Sequence, residues 1–142
     1  MKKLIPFILL FSLSACAQPH YISANDLQEP QGTQAEDTCL LKFTKAGVCA
    51  EMQWLTTPSS SDYSEFTLKF NSPQITAANL SVVLWMPSMG HGSAPVKIED
   101  LGQGQFRVHR VYFVMPGEWE VRVSLKNQST TVDQVFVPLM VP

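Results

Sequence analysis

Strict two-residue alternation of apolar and polar side chains constrains this chain most. Across residues 65–70, Phe66, Leu68 and Phe70 fall on one side and Glu65, Thr67 and Lys69 on the other. Residues 119–126 repeat the pattern, with Trp119, Val121, Val123 and Leu125 against Glu120, Arg122, Ser124 and Lys126. That period belongs to a strand with one face buried and one in water, and a helix would scatter the same residues around its axis. Residues 80–85 are apolar on both faces and read as a central strand. Residues 51–55, 96–99, 106–114 and 130–137 are further candidates, and no segment beyond the first fifteen residues sustains a helical period. Asp100-Leu101-Gly102-Gln103-Gly104 and Lys126-Asn127-Gln128-Ser129 read as hairpin loops. Met115-Pro116-Gly117-Glu118 has Pro second and Gly third, as a type II turn requires. About seven short strands at this spacing predict an all-β fold, a single immunoglobulin-like antiparallel sandwich, with a small barrel as the alternative.

The first residues carry an address instead of a fold. Met1-Lys2-Lys3 precedes an apolar run from Leu4 to Leu13, then Ser14-Ala15-Cys16. A basic start, a short apolar stretch and small residues make a secretory signal over residues 1–15. The run is far shorter than the roughly 20 residues a spanning helix needs. Leu13-Ser14-Ala15-Cys16 resembles the bacterial lipobox, which implies cleavage before Cys16 and a diacylglyceryl group plus an N-acyl chain such as palmitate on that cysteine. Several acyl chains hold a membrane stably where one does not. Ala17 follows, with no Asp to suggest inner-membrane retention, so the expected location is the outer membrane, facing the periplasm. In a Gram-positive cell the same signal means the outer face of the plasma membrane. Residues 16–38 read as the lipidated cysteine and a flexible tether, since Tyr21, Ile22 and Leu27 are its few large apolar side chains. The span of such a tether is roughly 25 Å.

Residues 39–142 form one domain, long enough for a core of its own. Of 10 Lys and Arg, removing Lys2 and Lys3 leaves 8 against 12 acidic residues, a mature charge of −4. With no basic stripe, nucleic acid is not an expected partner. Once Cys16 is lipidated, Cys39 and Cys49 remain, and an exported chain with an even remainder predicts a disulfide between them. The alternative is a thiolate metal pair or a redox dithiol, which C-x-x-C spacing or a nearby histidine would support; neither is present.

Residues 86–92, Met86-Pro87-Ser88-Met89-Gly90-His91-Gly92, hold the candidate chemistry. Two thioethers and an imidazole within six residues are the donor types that suit copper, above all Cu(I). Gly90 and Gly92 let the loop curl, and Met115 ends another strand just before a turn. Met86, Met89, His91 and Met115 are therefore the candidate metal ligands. His109 lies six residues before Met115, on the same strand face if no bulge intervenes. The plainer reading makes Met86 and Met115 gap-filling core residues and Pro87, Gly90 and Gly92 the shape of a tight crossover loop. Trp54, Trp85 and Trp119 read as core residues.

The domain resembles the YtkA-like/FixH-like family over residues 66–137. The resemblance rests on Trp85-Met86-Pro87-Ser88-Met89-Gly90-His91-Gly92 and Pro95, then Gly104-Gln105-Phe106, then Phe113-Val114-Met115-Pro116-Gly117-Glu118-Trp119. It implies a compact β-sandwich outside the cytoplasm, often membrane-attached, with related domains near heavy-metal efflux and copper-oxidase assembly systems. FixH proper is anchored by a transmembrane helix, and this chain departs from it there.

Catalysis finds no support: there is no nucleophile elbow, no paired-carboxylate motif and no phosphate loop. Glu118 and Glu120 flank an inward Trp and read as a solvated strand face. The expected function is a non-enzymatic, lipid-anchored copper carrier or accessory of metal export or oxidase assembly. The alternative is a non-metal module that docks an envelope protein partner, with a carbohydrate- or peptide-binding domain third.

Overall fold

The computed structural model describes residues 39–142. The expected signal over residues 1–15, and the expected lipidation at Cys16 with its tether to residue 38, lie outside the described residues. The alternating segments form the strands they predict. Among the described residues nine strands run in chain order: β1 (Leu41–Phe43), β2 (Val48–Trp54), β3 (Ser64–Phe70), β4 (Leu80–Met86), β5 (His91–Gly92), β6 (Lys97–Gly102), β7 (Gln105–Val111), β8 (Gly117–Asn127) and β9 (Thr130–Val141). A short 3-10 turn, Ala77–Asn79, precedes β4. The first sheet has the order β1-β2-β3-β7-β6 and the second β5-β4-β8-β9, all antiparallel. The two sheets form a sandwich.

Alternation explains the core. The first sheet turns Phe43, Phe66, Leu68, Phe70, Phe106 and Val108 inward. The second contributes Leu84, Trp119, Val121, Val123 and Leu125. Phe113 meets Trp119 edge-on at 5.3 Å and Trp54 at 6.4 Å, so aromatic contacts span the two layers.

Two devices tie the first strands down. The Cys39–Cys49 disulfide is present, with Cα atoms 5.6 Å apart. Lys42, not Cys39, is the register partner of Cys49, so the bond fixes the chain just before β1 starts. Asp133, buried on β9, accepts backbone N–H bonds from Lys45 at 2.7 Å, Ala46 at 3.0 Å and Gln134 at 2.9 Å. Burial alone would raise this carboxyl. The three N–H donors and the Lys45 charge outweigh it and hold the group below the ordinary carboxylate range.

Three sequence expectations need correction. Strand β7 ends at Val111, not 114, because Arg110 adopts a left-handed φ of 58° and the pairing with β3 shifts between Ser64 and Phe66. That bulge removes the even spacing that would place His109 on the face of Met115. Trp85 is not a core residue. Its neighbours Leu84 and Met86 point inward, so Trp85 faces out, half-buried beneath Arg122.

A candidate soft-metal site at one end of the sandwich

Strand β4 ends at Met86, and β8 starts at Gly117 beside it, because these two strands pair antiparallel. The loop after Met86 is a tight turn: the N–H groups of Met89 and Gly90 donate to the Met86 carbonyl at 3.2 and 3.0 Å. Gly90 takes φ +66°, a conformation that favours glycine. The turn returns His91 directly opposite Met86 as strand β5. Beyond it, the Ser93 hydroxyl donates to the Tyr112 carbonyl, stitching this crossover to the end of β7.

Trp119 organises the cluster. Its indole N–H donates to the Met115 carbonyl at 3.0 Å, closing the turn. Its ring meets the His91 ring near-perpendicular, with centroids 6.4 Å apart. Met86 reaches the start of β8. A Cβ at Gly117 would sit 3.0 Å from Met86 Cε, and Gly117 has φ +133°, so this position admits only glycine without strain.

The structure places three of the four candidate residues at one end of the sandwich: His91 pairs with Met86, the His91 ring meets Trp119, and Trp119 bonds the Met115 main chain. Met86 is 3% exposed, while His91 and Met115 are half-buried. Met89 stands apart in the turn at 57% exposure. His91 Nδ1 lies 3.2 Å from the Gly92 carbonyl. A proton on that nitrogen donates to the carbonyl and leaves Nε2 as the ring nitrogen able to ligate. As donor types, thioethers and an imidazole suit a soft monovalent cation. Among the described residues no group of three His, Cys, Asp or Glu could hold a hard or borderline ion.

Met140 escapes a sequence reading. It lies on the extension of β9 beyond the expected end at 137, opposite Glu118 and 66% exposed. With Pro87, Glu118, Glu120 and Pro138 it lines a cleft of about 380 Å³ on the outer side of the same end. Its signal was the continued alternation of Phe136, Pro138 and Met140. Met86, Met89, Met115 and Met140 thus all belong to this end, although the sheet separates inward Met86 from outward Met140.

No helix among the described residues is long and apolar enough to cross a membrane. Neither a curated protein nor a solved structure gives a significant match to the chain. The YtkA-like family model matches residues 59–124, a span that runs from β3 into β8 and contains the whole Met86–Trp119 cluster. This chain carries a YtkA-like domain.

Proposed function

We propose that this is a lipid-anchored envelope protein, held by Cys16, whose YtkA-like domain carries Cu(I) for metal export or oxidase assembly. The observation that supports it is that His91 pairs with Met86 and meets Trp119, which bonds the Met115 main chain, at the end of the sandwich where the Met89 turn lies. Copper is the cargo, and the work is ligand exchange without bond-making catalysis. Thioethers and one imidazole hold Cu(I) without the thiolates that an oxidising compartment would convert to disulfides. The half-buried donors exclude part of the solvent, and the exposed Met89 thioether offers the ion a first and last ligand. An outer-membrane anchor facing the periplasm would put the domain in reach of its partner.

Anaerobic titration with Cu(I) against a competing chelator tests the carrier reading. Wild type should bind one ion, and Met89→Ala/His91→Ala should weaken binding at least tenfold. Absence of binding, or affinity untouched by the double substitution, removes copper from the account. Labelled palmitate incorporation, lost in Cys16→Ser, tests the anchor separately.

One observation favours the second reading, an interaction module without metal. Met86 Cε packs against the Gly117 position as a core methionine would. On that reading the double substitution leaves Cu(I) irrelevant and abolishes co-purification of an envelope partner.

A further inference from the structure

The outer face of the second sheet divides into a polar and an apolar half. One row across the strands holds Ser81, Ser124 and Gln134. The next rows, toward the Met86 end, hold Val83, Arg122 and Phe136, then Trp85, Glu120 and Pro138, with Met140 opposite Glu118 beyond them. Val83 and Phe136 are each 45% exposed and Met140 is 66% exposed, with Trp85 half-buried. The central charges of this half cancel. Glu120 binds the Arg122 guanidinium at 2.8 Å, and that guanidinium lies over both rings, 4.7 Å from the Trp85 centroid and 4.8 Å from that of Phe136. What remains is an apolar surface with an ordered centre, and covering it costs little side-chain entropy.

The path of the chain identifies what covers it. The described residues begin at Cys39, and Leu40, 73% exposed, lines a groove of about 250 Å³ with Phe136 and Pro138. Every side chain lining that groove is apolar. The segment that leads to Cys16 therefore enters the domain at the rim of the apolar half. A membrane holding Cys16 would lie within a tether span of roughly 25 Å of that rim. Over so short a link, even a weak surface contact is well populated. Charge selects the lipid. Glu118, exposed opposite Met140, has no ion-pair partner among the described residues. The ammonium group of a zwitterionic phospholipid complements it, and an anionic headgroup repels it. The first sheet offers no such surface, because Glu65, Lys69, Glu99 and Arg107 stand outward there.

We propose that this apolar half rests on the surface of the phospholipid membrane that holds Cys16, an inference that builds on the anchored reading of that residue. Trp85, Phe136 and Met140 enter the headgroup layer, where an aromatic ring meets both apolar and wet surroundings. The row at Ser81 stays in water, and the ionic face of the first sheet points away from the lipid.

The mature chain from Ala17 onward, made without its signal and Cys16, provides the test, since its binding owes nothing to an acyl chain. It should float with vesicles of phosphatidylethanolamine and phosphatidylcholine at millimolar lipid. Trp85→Ser/Phe136→Ser should lower the bound fraction at least about threefold, because binding scales with the apolar area buried. Met140→Ser, at the most exposed position of the patch, should lower it in the same direction. Leu101→Ser, which removes an exposed leucine from the first sheet, should leave it unchanged. Adding phosphatidylglycerol should weaken wild-type binding, and Glu118→Gln should reduce that loss. Cooperative thermal unfolding of each variant shows that it folds. A wild-type chain that stays out of the vesicle fraction overturns the proposal, as it would if a protein covered this face. Substitutions in the patch that bind like wild type, an equal loss in Leu101→Ser, or binding that rises with phosphatidylglycerol overturn it as well. Palmitate labelling at Cys16 reads the anchor separately, so a failure of one is distinguishable from a failure of the other.

Discussion

The two sheets turn the same kind of face inward and opposite kinds outward. Outside the first sheet stand Glu65, Thr67, Lys69, Glu99, Gln105 and Arg107, and Arg107 bonds Glu65 at 2.6 Å with Glu99 nearby at 3.9 Å. Outside the second stand Val83, Trp85, Phe136, Pro138 and Met140 around one caged arginine. Burial selects the inward residues of both sheets for apolar volume alone. Only the outward residues are free to differ, so their difference carries the information about what each face meets. The first sheet's outer face is ionic, and the second's is apolar around an arginine.

The largest expected effects should not distinguish the sheets at all. Phe66→Ala from the first and Trp119→Ala from the second each remove a fully buried aromatic from one shared core. Each should cost about 3–5 kcal/mol of unfolding free energy in chemical denaturation. A sharply smaller cost for either would mean that the sheets do not share a core equally.

Asp133→Asn probes the link between the second sheet and the β1–β2 turn. It removes the charge that the Lys45, Ala46 and Gln134 N–H groups stabilise, and the melting temperature should fall at neutral pH. Because the folded carboxyl titrates below its unfolded value, this stabilisation is complete above the unfolded value of about 4. It is lost as pH falls through the lower, folded value. The gap between wild type and variant should therefore close in acid. A gap that persists unchanged well below pH 3 would show that shape, not charge, makes the contact.

Smaller effects should separate the outer faces. Phe136→Ala takes one ring from the Arg122 cage and should cost about 0.5–1 kcal/mol in chemical denaturation. Glu65→Gln, which breaks the Arg107 pair in open solvent, should leave the melting temperature unchanged within error. If Glu65→Gln proved the costlier of the two, the contrast between the faces would be misdrawn.

Much of this is local and therefore readable in the chain. Alternation at residues 65–70 and 119–126 dictates strands, because a two-residue period lets a strand bury only one set of side chains. Gly102, Gly104 and Gly117 sit at positive φ where the turn residues require it. Cys39 and Cys49 close a disulfide, and their short separation along the chain made that pairing readable. Pairing across the sheets decided the rest. Nothing local tells that His91 returns opposite Met86, that Gly117 accepts Met86 Cε, or that Trp119 bonds the Met115 carbonyl. Those contacts join residues from β4, β5 and the start of β8, which meet only because β4 and β8 are neighbours in one sheet. Likewise, a run apolar on both faces cannot announce that Trp85 points outward. It does so because Arg122, on β8, and Phe136, on β9, complete its surroundings. The sequence determined most of the strands, though not β1 or the short β5, and which residue types are available as soft ligands. The tertiary structure alone decided which of them meet, because strand pairing brings together residues whose separation along the chain carries no signal of their contact.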